Sequence, residues 1–329
     1  MDKFKIRAVS AMAITLSAGM VFLPTSTHCR AAALKPADVI VSWAGYPASY
    51  VQEYTRTGAL VQSWTITSSW SSENARDVGV DWAGNIVIYN GTFNPTLTIL
   101  NPTTGDKTNY SFPGWNTINN TTMGGLAVWG GYAYATDDEI GSDGPNQNGV
   151  VRFNLANGAA DRFLAGTDTT AIGIGLNDTL YAVGPDTSPG ENELDIINPT
   201  TMVLEKTVAM PFSLSGVTAD AAGNIYATSG STIYKLDSNG NILGSLETTF
   251  ALDNIKISPT DQLIMANNGG QIVLSSTSLS SYTEFTLNEP GAQLYESYAT
   301  FVPEPTVLSL LTIGAYLLLL KRRQREFYR

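Results

Sequence analysis

The stretch of sequence that decides the fold runs from residue 216 to residue 228 and reads Gly-Val-Thr-Ala-Asp-Ala-Ala-Gly-Asn-Ile-Tyr-Ala-Thr. Two short apolar runs flank the turn residues Asp220, Gly223 and Asn224, which suit the positive φ of a tight hairpin. A second pair of apolar runs follows, with Asp237–Asn241 between them. The pattern predicts a unit of four antiparallel strands.

The same unit recurs along the chain. A close copy begins at Gly79, and looser copies begin at Gly125, Gly173 and Ile255, so that successive starts lie 46, 48, 43 and 39 residues apart. A period near 40 to 45 residues with four strands in each unit is typical of a β-propeller. Helical periodicity is almost absent from the body of the chain, and the fold class is therefore predicted to be all-β.

A sixth unit opens the body but lacks a first strand. Its apolar runs are Asp38–Trp43, Tyr50–Tyr54 and Leu60–Ile66. The missing strand is expected from the other end of the domain, around Tyr295–Val302, because this pairing would leave no open sheet edge. The sequence thus predicts a six-bladed propeller of four-stranded blades over residues 34–302.

The units resemble NHL-type and related six-bladed propeller repeats, in which Gly-Val/Ile-x-x-Asp-x-x-Gly-Asn-Ile/Val-Tyr-Val-Ala recurs. The units that begin at Gly79 and Gly216 match this pattern well. The acidic residue that commonly follows the tyrosine strand is absent from most units, where Tyr89-Asn90 and Thr228-Ser229 stand instead. No ligand site is therefore carried over from those families.

The first 33 residues have the parts of a secretory signal peptide: a basic start, an apolar run over residues 8–23 and the small residues Ala31-Ala32-Ala33. We expect cleavage after Ala33. A lipoprotein cysteine at Cys29 and an uncleaved N-terminal anchor are the alternatives. His28 and Cys29 are the only histidine and cysteine of the 329 residues, so the processed protein would have neither. Thiol chemistry, disulfides, zinc sites and histidine-based triads are then excluded.

The C-terminal segment over residues 303–329 combines Pro303-Glu304-Pro305, a fifteen-residue apolar run over residues 306–320 and a basic end. Such a run covers about 22 Å as a helix, short of the roughly 30 Å hydrocarbon core of a bilayer. The basic cluster of this end consists of Lys321, Arg322, Arg323 and Arg325, and Arg329 is the last residue. They would hold it in the cytoplasm and leave the large domain outside.

These parts resemble the PEP-CTERM sorting signal of Gram-negative bacteria. The resemblance implies export across the inner membrane, a transient membrane anchor and processing near the tripeptide by an exosortase, a membrane cysteine protease or transpeptidase. It further implies a cell surface or matrix location, with extracellular polysaccharide as a partner. A plain tail anchor is the alternative.

The charge of the exported body is strongly negative. Four basic residues and one acidic residue leave with residues 1–33, and five basic and one acidic belong to residues 321–329; 9 basic and 27 acidic residues remain, a net charge of −18. Nucleic acid is excluded as a partner, since phosphate backbones would repel such a surface.

Two long loops between second and third strands carry most of the candidate metal ligands. We single out Asp137, Asp138, Glu139 and Asp143 in the first; the second lies near residues 184–193. Carboxylate and carbonyl oxygens suit Ca²⁺, although the spacing matches no established calcium loop. Calcium is the one candidate cofactor, and none is required. The alternative is a pair of solvated acidic loops. Asp237–Asn241 has similar residues, but its place between two strands favours a hairpin turn.

The tryptophans are candidates for stacking on sugars. Trp70 and Trp115 lie in polar surroundings and are the better candidates for exposed contacts, whereas Trp82 and Trp129 are expected to pack between blades. No catalytic constellation is present in the sequence. Two functions remain: a non-catalytic binding or structural module, and a calcium-dependent hydrolase that resembles gluconolactonase-type propellers. The first is favoured.

Overall fold

The computed structural model describes residues 32–46, 48–67, 74–91, 95–115, 125–137, 149–163, 169–185, 192–267, 269–287 and 293–303. In chain order the first twelve strands are β1 (Val39–Tyr46), β2 (Ser49–Tyr54), β3 (Leu60–Thr67), β4 (Asn74–Val80), β5 (Ile86–Gly91), β6 (Thr96–Leu100), β7 (Lys107–Tyr110), β8 (Leu126–Trp129), β9 (Tyr132–Asp137), β10 (Gly149–Asn154), β11 (Ala160–Phe163) and β12 (Ala171–Ile174). The other twelve are β13 (Leu180–Pro185), β14 (Asn192–Asn198), β15 (Val203–Met210), β16 (Gly216–Ala219), β17 (Ile225–Ser229), β18 (Thr232–Leu236), β19 (Ile242–Glu247), β20 (Asn254–Ile257), β21 (Gln262–Ala266), β22 (Gln271–Ser276), β23 (Tyr282–Thr286) and β24 (Gln293–Phe301).

The strands form six antiparallel sheets of four strands each, which confirms the predicted six-bladed propeller. Blade 1 consists of β24, β1, β2 and β3, and blades 2 to 6 follow as β4–β7, β8–β11, β12–β15, β16–β19 and β20–β23. The first strand of each blade contacts the first strands of its two neighbours, so these six inner strands form a ring around the axis.

Blade 1 is closed by the two ends of the domain, as the sequence predicts. Strand β24 pairs antiparallel with β1 in a register that places Val39 opposite Phe301 and Trp43 opposite Ser297. Beyond the strands, the Val302 amide donates to the Asp38 carbonyl at 2.8 Å. The ring therefore has no open sheet edge at the point where the chain begins and ends.

The core lies between the blades. Buried apolar side chains of the described residues group into six clusters, and each cluster joins two neighbouring blades. The tyrosines of the second strands are part of it. Tyr134 donates to the Pro199 carbonyl of blade 4 at 2.9 Å, and Tyr226 donates to the Thr277 carbonyl of blade 6 at 3.2 Å. Burial raises the pKa of Tyr134 to about 12.

The Asp-x-x-Gly-Asn turns share one hydrogen-bond pattern. In the turn that begins at Asp220, one carboxylate oxygen accepts from the backbone amides of Ala222 and Asn224, and the other accepts from the Asn224 side chain at 2.7 Å. The turns at Asp81 and Asp237 repeat these three bonds. The prediction that Asp237–Asn241 is a hairpin turn is thus confirmed.

We expect Asp220→Ala to lower the free energy of unfolding by about 2 kcal/mol, because the turn loses its hydrogen bonds and the buried Tyr226 hydroxyl loses one of its two acceptors. Tyr226 donates to Asp220 at 3.0 Å, whereas Asp237 has the same turn bonds at an exposed position. Asp237→Ala is the matched control and should cost clearly less. Urea denaturation of both variants measures the difference; equal losses would contradict the role given to Tyr226.

The pKa of Asp220 makes the same effect depend on pH. Burial raises this pKa, but the hydrogen bonds from Asn224, Tyr226 and Ala222 outweigh it, so that the pKa is lowered overall. An acid whose pKa is lower in the folded state than in the unfolded state stabilises the protein at any pH above the unfolded-state pKa, which is near 4 for aspartate. This stabilisation is lost as the pH falls through the folded-state pKa. The difference in the free energy of unfolding between Asp220→Ala and the wild type should therefore become smaller at acid pH.

The propeller has two distinct faces. We call the face where the inner strands begin the upper face; it carries the connections from second to third strands and from blade to blade. The lower face, where the inner strands end, carries the hairpin turns that begin at Asp81, Asp220 and Asp237. Both ends of the described chain lie there, because Ala37 donates to the Val302 carbonyl at 3.2 Å.

Candidate functional site

A largely buried ion pair crosses the axis of the propeller. Lys256 on the inner strand of blade 6 reaches Asp77 on the inner strand of blade 2, with 3.1 Å between Nζ and Oδ2. The same ammonium donates to the Leu126 carbonyl of blade 3. Since blade 1 lies between blades 6 and 2, and blade 3 stands opposite blade 6, this lysine spans the channel and ties three blades together.

Asp77 is fixed from several sides. Its carboxylate oxygens accept from the backbone amides of Val78 at 2.7 Å and Leu126 at 2.8 Å. Strand β4 is irregular here, with a shift in its pairing to β5 between Ala75 and Asp77. Burial raises the pKa of the Asp77 carboxyl, and the charge of Lys256 opposes that rise. The group is therefore a tightly held structural link rather than an open ligand.

A small apolar cavity of about 180 Å³ lies in the channel on the lower side of this ion pair. Its walls are the ends of inner strands, including Val80, Val128, Ile174 and Phe301, and Lys256 also lines it. Sites for small ligands usually have 300 to 1,000 Å³. The channel cavity is too small for most substrates.

A second, larger depression of about 640 Å³ lies on the lower face. It is lined by Ala33, Leu34 and Pro36 at the start of the domain, residues 80–85 and 101–103 in the two hairpin turns of blade 2, and Val302 and Pro303 at its end. We call it the Trp82 depression, because Trp82 is 85% exposed in it. Its volume falls within the range of ligand sites.

The expectation that Trp82 packs between blades is wrong. Trp82 is the second residue of an Asp-x-x-Gly-Asn turn, whose backbone and Asp81 carboxylate are bonded within the turn. A side chain at this position leaves the sheet and points away from the blade interface. Trp129 does pack between blades as predicted; its indole nitrogen donates to Asp178 of blade 4 at 2.8 Å.

The expectation that Trp115 is an exposed contact is also wrong, since its side chain is only 5% exposed. It stacks on Tyr89 with 5.4 Å between ring centroids and donates to the Thr136 carbonyl at 3.0 Å. Trp115 therefore fills the junction of blades 2 and 3. Its polar sequence neighbours concealed this role. Trp70 lies outside the described residues.

Asp137 does not belong to an open acidic loop. It is the last residue of β9, fully buried, and its carboxylate pairs with Arg162. Arg162 also donates to the Gly114 carbonyl at 2.6 Å and lies over the ring of Phe112. The Asp137 carboxylate is thus engaged by Arg162, and its role as a calcium ligand stays a prediction. Asp138, Glu139 and Asp143 lie outside the described residues, and within the described ones no cluster of three or more acidic, histidine or cysteine side chains occurs.

The sorting motif lies almost wholly beyond the described chain. Pro303 is its last described residue and is exposed at the rim of the Trp82 depression. The remaining residues of the motif lie outside the described residues: Glu304, Pro305, Lys321, Arg322, Arg323 and Arg325. So do nearly all of residues 1–33 and the apolar run over residues 306–320. No helix able to span a bilayer occurs in the part of the chain that the structure describes.

Sequence reasoning did not find the ion pair of Lys256 and Asp77 because the two residues are 179 positions apart. The only local signal is a lysine within the short apolar run of the sixth repeat. For Trp82 the signal was present in its turn position, which predicts exposure more strongly than the residue type predicts burial.

No protein-family model matches the chain, and no curated protein matches it. Solved structures do match. TolB from Acinetobacter baumannii is 17% identical with a TM-score of 0.60, over 82% of this chain and 67% of that chain. A chain of a nidogen/laminin complex is 10% identical with a TM-score of 0.58, over 81% of this chain and all of that chain. A protein of unknown function from Bacteroides caccae is 12% identical with a TM-score of 0.53 over 80% of this chain. At these identities the likeness shows a propeller fold alone.

Proposed function

We propose that the protein is an exported, exosortase-sorted protein of the cell surface or extracellular matrix, and that its propeller is a non-catalytic binding or structural module. The body is acidic, lacks histidine and cysteine once residues 1–33 are removed, and carries the Pro-Glu-Pro, apolar and basic segments in order at its end. Export, sorting by an exosortase and a polysaccharide partner are inferred from these segments.

One structural observation carries this proposal. The last hydrogen bonds of the folded body involve Val302, and the tripeptide begins at the next residue, Pro303, which is exposed. A processing enzyme requires a segment that it can reach without unfolding the domain. The motif begins where the closing strand of blade 1 has already ended, which meets that requirement.

The same geometry favours one mode of presentation. Both ends of the domain are on the lower face, so a membrane-inserted tail would hold that face toward the membrane. The upper face would then point outward while the anchor persists.

We expect mass spectrometry of the protein from its producing bacterium to find a C-terminus close to Pro303. Glu304→Ala should retain the tail in most molecules, because the tripeptide is then incomplete. Glu284→Ala, at an exposed position of β23, is the matched control and should be processed normally. Recovery of Arg329 on the mature wild-type protein would contradict sorting by this motif.

The non-catalytic part of the proposal has its own test. A set of lactones is incubated with the purified protein, with calcium and with a chelator. We expect no turnover in either case. Calcium-dependent stabilisation together with lactone hydrolysis would replace the proposal with a calcium-dependent hydrolase.

A further inference from the structure

Trp82 differs from the other tryptophans that the structure describes. Trp43, Trp64 and Trp115 are buried, and Trp129 is held by a hydrogen bond across a blade junction. Trp82 alone among these five is exposed, at 85% for the whole residue. A large exposed aromatic side chain on the wall of a depression is a feature of binding sites rather than of cores.

Few charged side chains line the Trp82 depression. No lysine or arginine lies among its lining residues, and Asp81 is the one acid. Both carboxylate oxygens of Asp81 accept hydrogen bonds within their own turn, from Ala83 at 2.9 Å and from Asn85 at 2.8 and 2.9 Å. The described lining side chains offer no cation to an anionic ligand, so the depression suits a neutral ligand better than an anionic one.

Polar groups lie beside the ring. The side-chain oxygen of Asn101 accepts from the amides of Thr103 at 2.9 Å and Thr104 at 3.1 Å, which holds the side chain in place. Its Nδ2 group remains to donate to a ligand, and Thr103 also lines the depression. Leu34, Pro102 and Val302 supply apolar wall.

We propose that the Trp82 depression binds a neutral saccharide, which stacks a sugar face on the Trp82 ring and forms hydrogen bonds with Asn101 and Thr103. A pyranose has an apolar face of C–H groups and a rim of hydroxyls. A site for it therefore needs an aromatic ring against the apolar face and amide or hydroxyl groups near the rim. The proposal deepens the binding role proposed above, on which it rests, by naming the site and the ligand class.

A proline-rich peptide is the competing occupant. Grooves that bind polyproline helices are lined by several aromatic rings. Here Trp82 is the only aromatic residue among the lining residues. The two hairpin turns of blade 2 place polar groups beside the Trp82 ring, and these suit the hydroxyls of a saccharide.

The test uses the protein purified as its producing cell makes it, with cellotriose and laminaritriose as neutral probes and trigalacturonic acid as the charged comparator. Binding is measured by calorimetry and by saturation-transfer NMR. We expect at least one neutral trisaccharide to bind, and Trp82→Ala to weaken that binding at least about tenfold. Because Trp82 is exposed, this variant should unfold at the wild-type urea concentration.

Two further variants separate the site from a general effect. Asn101→Asp keeps the oxygen that caps the turn but replaces the donor with an acceptor, and should weaken binding severalfold. Leu243→Ala, at a position 55% exposed on β19, is the control and should bind like the wild type.

Three outcomes would overturn the proposal: no neutral probe binds, Trp82→Ala binds as the wild type does, or a synthetic peptide of residues 301–309 binds in place of the sugars. None of these results would affect the position of the mature C-terminus. Conversely, an unprocessed tail would contradict sorting and leave saccharide binding intact, so the two proposals fail separately.

Discussion

Gly173→Ala is expected to lower the free energy of unfolding by about 3 kcal/mol or more, or to prevent folding altogether. A Cβ atom at this position would lie 1.7 Å from the carbonyl oxygen of Val217 on the neighbouring inner strand. The obstacle is backbone and not the end of a flexible side chain, so one strand must move. Overpacking that forces backbone shifts ordinarily costs 1 to 3 kcal/mol, and occasionally more.

The strands cannot separate without further loss. Beside Gly173, Leu176 donates to the Ala219 carbonyl at 2.8 Å, and Thr218 donates to the Ile174 carbonyl at 2.9 Å. These bonds fasten blade 4 to blade 5 at the axis, and an added methyl group would have to stretch or break them. The alanine variant therefore loses packing and hydrogen bonds together.

Gly244→Ala is the matched control. Gly244 lies on the outer strand β19, where an added Cβ would meet no atom within 4 Å and the backbone is not left-handed. Alanine there should be neutral or slightly stabilising, since glycine in a strand carries an entropic cost. Urea denaturation of both variants is the measurement. A Gly173→Ala protein within about 0.5 kcal/mol of the wild type would show that the inner strands are not packed this closely.

The fold could be predicted from sequence because its information is local and repeated. The turn that begins at Asp220 specifies a hairpin by short-range hydrogen bonds, and copies at a period of 40 to 45 residues specify the ring. The pairing of the last strand, β24, with the first blade could also be predicted, because the first unit lacks one of its four strands. Strand starts were less accurate: β4 begins at Asn74, five residues before the predicted Gly79.

The candidate site could be predicted only poorly, because burial in a propeller depends on which blade faces a side chain. Trp115 has polar neighbours in sequence but lies between Tyr89 and Phe153 of two different blades. Trp82 has an apolar neighbour in Val80 yet lies on a turn outside the sheet. Asp137 ends a strand instead of entering a loop, and its partner Arg162 comes from the outer strand of the same blade. The partners of Trp115 and Asp137 all lie far from them in the sequence.

Lys256→Met is expected to destabilise the protein by about 3 to 5 kcal/mol at neutral pH. The substitution leaves the Asp77 carboxylate buried without its counter-ion and the Leu126 carbonyl without the ammonium donor. Breaking a buried ion pair by removing one partner typically has this cost, because the remaining charge is uncompensated. Lys206→Met is the control: this lysine is exposed, and within the described residues it donates to the Ser238 carbonyl and the Asn239 side chain. The control variant should lose less than about 1 kcal/mol of its free energy of unfolding.

The dependence on pH distinguishes lost charge pairing from lost packing. Burial raises the folded-state pKa of Asp77 above the unfolded value near 4. The unfolded chain therefore releases this proton first, and the contribution of Asp77 to stability is fully present below that value and declines as the pH rises through the folded pKa. Lys256 opposes the rise, so its removal moves the folded pKa higher and extends the decline to higher pH.

The loss of stability in Lys256→Met relative to the wild type, which we call the deficit, should accordingly be largest near pH 7.5 and shrink toward pH 5. Urea midpoints of both proteins at each pH measure it. Asp77→Asn removes the titrating group, so the deficit of the double variant relative to Asp77→Asn alone should show no such narrowing. A deficit that is constant across this range would mean that Lys256 acts through the packing of its aliphatic stem in the channel. A narrowing deficit identifies the charge pair as the link that holds blades 2, 3 and 6 together across the axis.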